Sequence, residues 1–98
     1  MDQLSLFDML DEPEPGQWVT AIGPEISFDD ICNRVGQIII LDKSTESHKW
    51  YKAVRVERII WNDDSNCRRL IYYDGARQRG LVNEYYFEWG GQKAYALP

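Results

Sequence analysis

Cysteine and histidine are scarce in this 98-residue chain: Cys32 and Cys67 stand far apart without CxxC spacing, and His48 is the single histidine. Zinc needs clustered thiolates or imidazoles, so a metal site is not expected, and no cofactor is implied. No apolar run is long enough to cross a bilayer, and the N-terminus lacks a basic region followed by an apolar stretch. The expectation is a cytoplasmic protein without membrane contact, whose two cysteines are reduced thiols.

Basic residues are also in deficit. Formal charge is -5 and the pI is about 4.7, which argues against indiscriminate nucleic-acid binding by the whole molecule. The deficit is uneven: eight of the sixteen acidic residues and none of the eleven basic ones fall in residues 1 to 31. That stretch carries -8 and the remainder +3. With 44% hydrophobic and 13% aromatic content, the chain supports one small core plus a tail. The expected division is a flexible acidic tail over 1–16, with the Pro-containing stretch Asp8 to Gly16 as its tether, and one domain over 17–98.

Gln3-Leu4-Ser5-Leu6-Phe7 opens the chain with three large apolar side chains and one amide. A buried Leu or Phe contributes roughly 1.5–3 kcal/mol relative to exposure, so these residues favour a pocket, either on the domain or on another molecule. The pentapeptide resembles, at all five positions, the consensus by which bacterial replication and repair proteins bind the beta sliding clamp. That resemblance implies Gln3 as polar anchor, Leu4 as supporting contact, Ser5 as the small polar spacer, and Leu6 with Phe7 as the apolar plug. It further implies a bacterial, phage or mobile-element protein acting in DNA replication or repair, as a recruiter to the clamp or a competitor for its groove. The residues alone leave an alternative open. Leu6, Met9 and Leu10 have the spacing of one helix face and Asp2 is a candidate cap, so the segment would dock on its own domain. The protein would then be a self-contained interaction or single-stranded-DNA-binding module.

The body reads as mainly β. Gln17 to Thr20 suggests a short strand or an apolar clip, and Ser27 with Asp30 suggests a capping box opening a helix over 28–35, with Phe28, Ile31, Cys32 and Val35 on one face and Gly36 as its stop. Ile38 to Leu41, apolar on both faces, predicts a central strand. Over Trp50 to Trp61, Val54 and Val56 have one parity and Ile59 and Trp61 the other. A bulge near Glu57 or Arg58 would return all four to the core. Arg68 to Tyr73, Ala76 to Val82 and Lys93 to Leu97 complete five strands, with Asp74-Gly75 predicting a type I′ hairpin and Asn83 capping a single turn before the last strand. This order loosely resembles Tudor-type and other SH3-like small barrels.

Catalysis finds little support. Asp63, Asp64 and Asp74 fall at turn positions, and Cys67 beside Arg68 and Arg69 lacks an oriented base, so no enzymatic activity is expected. DNA is a candidate partner instead: Arg55, Arg58, Arg68, Arg69, Arg77 and Arg79 fall on the predicted hairpins, with Tyr72, Tyr73, Trp50 and Trp61 among them. Cationic strands interleaved with rings bind single strands through backbone charge and base stacking. The competing expectation is that these arginines line solvated faces and pair with Glu57, Asp63, Asp64 and Asp74, the rings being core. If the cationic set is real, the acidic tail would lie over it at low salt.

Overall fold

The structure is a computed structural model that describes residues 12–76 and 79–98; Gln3 to Phe7 and Arg77 lie outside the described residues. The chain is mainly β, with strands β1 (Trp18–Val19), β2 (Glu25–Ile26), β3 (Ile38–Asp42), β4 (Tyr51–Asn62), β5 (Cys67–Tyr73), β6 (Arg79–Asn83) and β7 (Ala94–Tyr95). Two five-residue helices, α1 (Phe28–Cys32) and α2 (Glu84–Glu88), interrupt them. All ladders are antiparallel, in the order β2-β7-β3-β4-β5-β6, with β1 pairing the start of β4. Strands β3 to β6 form a meander, and β7 returns beside β3 after the α2 turn, giving the small, mainly β domain that the sequence predicts. Among the described residues there are seven strands: beside the five expected, β1 falls where Gln17 to Thr20 suggests a short strand, and β2 adds a further short rung at the rim.

The long strand β4 holds the sheet together, and its register slips between Val56 and Arg58. The bulge sets Val54, Val56 and Ile59 on the core side, as their split parity requires. It does not bring in Trp61, which is 57% exposed and whose register partner is the charged Arg68 rather than an apolar residue. The inner sheet face contributes Ile39, Leu41, Val54, Val56, Leu70, Tyr72 and Val82, and α1 closes it with Phe28 and Ile31.

Helix α1 starts as the sequence suggests. Ser27 Oγ accepts from Asp30 N–H (3.1 Å) and Asp30 Oδ2 accepts from Ser27 N–H (3.0 Å), a complete capping box with Asp in the Glu position. It ends at Cys32 instead of running to residue 35. Gly36, at φ 86°, turns the chain so that its N–H reaches Val56 O (2.7 Å), and Val56 N–H returns to Gln37 O (2.9 Å). Joining β4 this early leaves Val35 exposed rather than on the core. Replacing Ser27 by Ala is expected to lower unfolding free energy by about 1 kcal/mol, read from urea denaturation, since the cap supplies one of the orphan N–H groups with its acceptor.

The β5–β6 connection also differs from expectation. Tyr73 pairs with Arg79, and Gly75 (φ 85°) has a positive φ while Asp74 does not, which excludes the two-residue type I′ turn. Asp74 Oδ1 instead accepts from Ala76 N–H (3.0 Å), a local Asx turn. Residues 14–17, placed in sequence at the junction of tail and domain, form a turn of their own closed by Gln17 N–H to Glu14 O (3.0 Å). Gly16 N–H to Ala53 O (2.7 Å) and Ala53 N–H to Gln17 O (2.9 Å) fasten that turn to β4.

Candidate nucleic-acid interface

Cross-strand pairing sorts the sequence-predicted residues onto two faces. Arg55, Tyr73 and Arg79 are register partners in one outward row across β4, β5 and β6. The next outward row holds Arg58, Ile71 and Leu81, and the one after it Ile60, Arg69 and Asn83. Outward rows lie two residues apart along a strand, about 7 Å. Four arginines and Tyr73 therefore share one outer face.

Arg68 and Tyr72 do not belong to it. Tyr72 sits in the intervening inner row, buried, with its ring against Gly80 and its hydroxyl accepting from Lys43 Nζ (3.3 Å), so no base can stack on it. Arg68 points to the inner end of the sheet, its guanidinium carbon 5.1 Å from the Phe28 ring centroid. Its Nη2 donates to Asp29 Oδ1 and Glu84 Oε2, both at 2.7 Å, and its Nε to Glu84 Oε1 (3.1 Å). These contacts lock α1 to α2 and leave the Arg68 fork no room for a phosphate. Glu84 is held below the usual carboxylate range chiefly by the hydrogen bond from Arg68, and the Arg68 guanidinium is driven still further from deprotonation by Glu84 and Asp29. Burial pushes the Cys32 thiol up, so it is a packing group that accepts weakly from Arg68 (3.5 Å).

On the outer face, Arg55 lies over Tyr73, 4.9 Å from guanidinium carbon to ring centroid. Its Nε donates to Glu57 Oε2 (3.0 Å), and Arg79 donates to Glu57 Oε1 (3.3 Å). Glu57 is thereby held below the usual carboxylate range, the Arg55 hydrogen bond being the main cause, and stays ionised as the shared counter-ion. Arg69 donates to neutral Asn83 (2.8 Å), and among the described residues neither Arg58 nor Arg69 forms an ion pair. Among the described residues, Glu57 is the one of the carboxylates expected to neutralise this set that does so; Asp74 pairs with Lys52 (3.8 Å). Sequence reasoning missed Ile60 and Leu81 as the apolar floor between the arginines. The signal was present, since the bulge that turns Ile59 inward turns Ile60 outward.

The remaining tryptophans stand elsewhere: Trp50 meets Trp18 edge-on (5.7 Å) and stacks on His48 (5.8 Å). A groove of about 880 Å³ opens where Glu12, Trp18, Val19, Ile40 and Leu97 meet. Among the described residues no group of three or more His, Cys, Asp or Glu is placed to hold a metal ion, and no helix is long and apolar enough to cross a membrane. No protein-family model, curated protein or solved structure matches the chain. Fold and surface together define a small antiparallel β domain with a cationic outer face.

Proposed function

We propose that this protein binds the bacterial beta sliding clamp through Gln3 to Phe7 and acts as a non-enzymatic accessory factor in DNA replication or repair, as recruiter or inhibitor. The observation that carries the reading is the five-position agreement of Gln3-Leu4-Ser5-Leu6-Phe7 with the clamp-binding consensus. Spacing supports it. Phe7 precedes Glu14, where the turn fastened to β4 begins, by seven positions. Seven residues, if extended, reach about 24 Å, a length that lets the peptide seat in a groove on another protein. A lone peptide of this size, with two apolar anchors and one amide, binds with a Kd on the order of micromolar, about -8 kcal/mol. A second contact from the domain would raise the effective affinity.

The groove beginning at Glu12 favours a second reading, in which the apolar N-terminus docks on its own domain and the protein is a self-contained interaction module. Calorimetry of the full chain against the clamp of its own host decides between them. The expected result is binding by the parent and none by a variant with Gln3, Leu6 and Phe7 all replaced by Ala. Absence of binding by the parent removes the clamp reading and leaves the module.

A further inference from the structure

We infer that the outer face of β4, β5 and β6 is a binding surface for single-stranded nucleic acid, independent of the clamp peptide. The argument starts from charge. Among the described residues four arginines, Arg55, Arg58, Arg69 and Arg79, share this face with one carboxylate, Glu57, a balance of +3 on a protein whose total is -5. Arginines kept only for solubility or edge protection would be matched by acidic neighbours, as Lys52 is by Asp74. Arg58 and Arg69 have no such match among the described residues. Arg69 is instead oriented by Asn83, a neutral acceptor that fixes the guanidinium without cancelling its charge.

Geometry then narrows the partner to a polyanion with exposed rings. The arginines occupy three successive outward rows about 7 Å apart, comparable with the phosphate repeat of an extended single strand. Between them lie Tyr73, half-buried with Arg55 over its ring, and Leu81, more than half exposed. A duplex buries its bases and would use only the charges, leaving Leu81 in water. A single strand uses both, its backbone following the guanidinium rows while bases cover Tyr73 and Leu81. An acidic peptide would satisfy the charges but gives Tyr73 no aromatic partner.

The test is fluorescence anisotropy of a labelled oligothymidylate with the full-length protein over a salt series. Affinity is expected to fall as salt rises, and Arg58→Ala and Arg69→Ala should each weaken binding and flatten the log–log salt slope by about 0.7. The pair Arg58→Glu and Arg69→Glu should weaken it at least about tenfold. Glu57→Gln should tighten it, an outcome that no loss of folding can mimic. Tyr73→Leu should weaken binding while leaving the salt slope unchanged. Three outcomes overturn the inference: no binding by the parent at low salt, affinity indifferent to Arg58, Arg69 and Glu57, or equal binding of a duplex of the same length. Displacement by polyglutamate at matched charge reassigns the face to acidic proteins and overturns it as well.

Discussion

Replacing Gly75 by Val is expected to release residues 12–19 from the domain, raising amide exchange at Gly16 and Ala53 by about a hundredfold while the core amides of β5 change far less. Gly16 and Gly75 lie back to back, both at positive φ (92° and 85°). A Cβ on Gly75 would collide with the Pro15 carbonyl oxygen, and one on Gly16 with the Asp74 carbonyl oxygen. Two penalties therefore coincide: the left-handed conformation costs a side-chain-bearing residue about 1–2 kcal/mol, and neither colliding group is a flexible side chain that can swing away. Strand β1 pairs with β4 over only two residues, so the cheapest relief is for the 14–17 turn to lift, surrendering Gly16 N–H to Ala53 O and Ala53 N–H to Gln17 O. Gly16→Val should have the same effect from the other side. Added together, the two should cost little more than either alone, because the contact is lost once. Hydrogen exchange followed by mass spectrometry reads the result; unaltered protection at Ala53 would show that the two backbones do not need each other.

Under the clamp reading, that close approach sets where the free lead of the peptide begins. Lifting the turn lengthens the lead between Phe7 and the first fixed residue without touching Gln3 to Phe7. Clamp affinity should therefore be nearly unchanged in Gly75→Val, since effective concentration falls slowly with linker length. A peptide that docks on the Glu12 groove would instead be disturbed.

What could be read from sequence was local and periodic. Split parity in Val54, Val56 and Ile59 located the β4 bulge, and Ser27 with Asp30 located the helix start, because each signal is complete within a few residues. The misreadings share another cause. Asp74-Gly75 satisfies the composition of a type I′ turn, yet Asp74, whose carbonyl lies against Gly16 about sixty positions earlier in the chain, does not take the positive φ that turn needs. Val35 has helical spacing, but the pull of Gly36 and Gln37 toward Val56 ends α1 three residues earlier. Arg68 and Arg69 look equivalent as neighbours in a strand, whereas alternation places them on opposite faces and only one meets carboxylates. In the candidate surface, residue types were legible and membership was not, since the face is defined by the register among three strands. Gln3 to Phe7 is the reverse case: it lies outside the described residues and is legible only as a sequence.

Arg68→Ala is expected to lower unfolding free energy by about 1–2 kcal/mol, the range of about 1.5–3 for hydrogen bonds to a charged group being discounted because the Arg68 side chain is 36% exposed. The guanidinium contacts both helices at once, and Glu84, whose side chain is 18% exposed, depends on it for three of its bonds, counting the Arg68 backbone N–H (3.2 Å). Asp29 is 78% exposed and adds little. Without the fork, a half-buried carboxylate loses its counter-ion, and Phe28 loses the cation over its ring. Arg68→Lys should recover only part of the loss, because an ammonium keeps the charge but cannot donate from Nε and Nη2 together. The pH dependence carries the sign. Glu84 titrates lower in the folded protein than in the unfolded chain, so its contribution is fully present above the ordinary carboxylate value and is lost as pH falls through the depressed one. Urea denaturation should therefore show the gap between parent and Arg68→Ala at its widest near neutral pH and narrowing on the acid side, while Glu84→Gln, with no carboxyl to protonate, should follow a flatter acid profile than the parent. A gap that stays constant with pH would mean that Arg68 stabilises the helices by packing over Phe28 rather than by its bonds to Glu84.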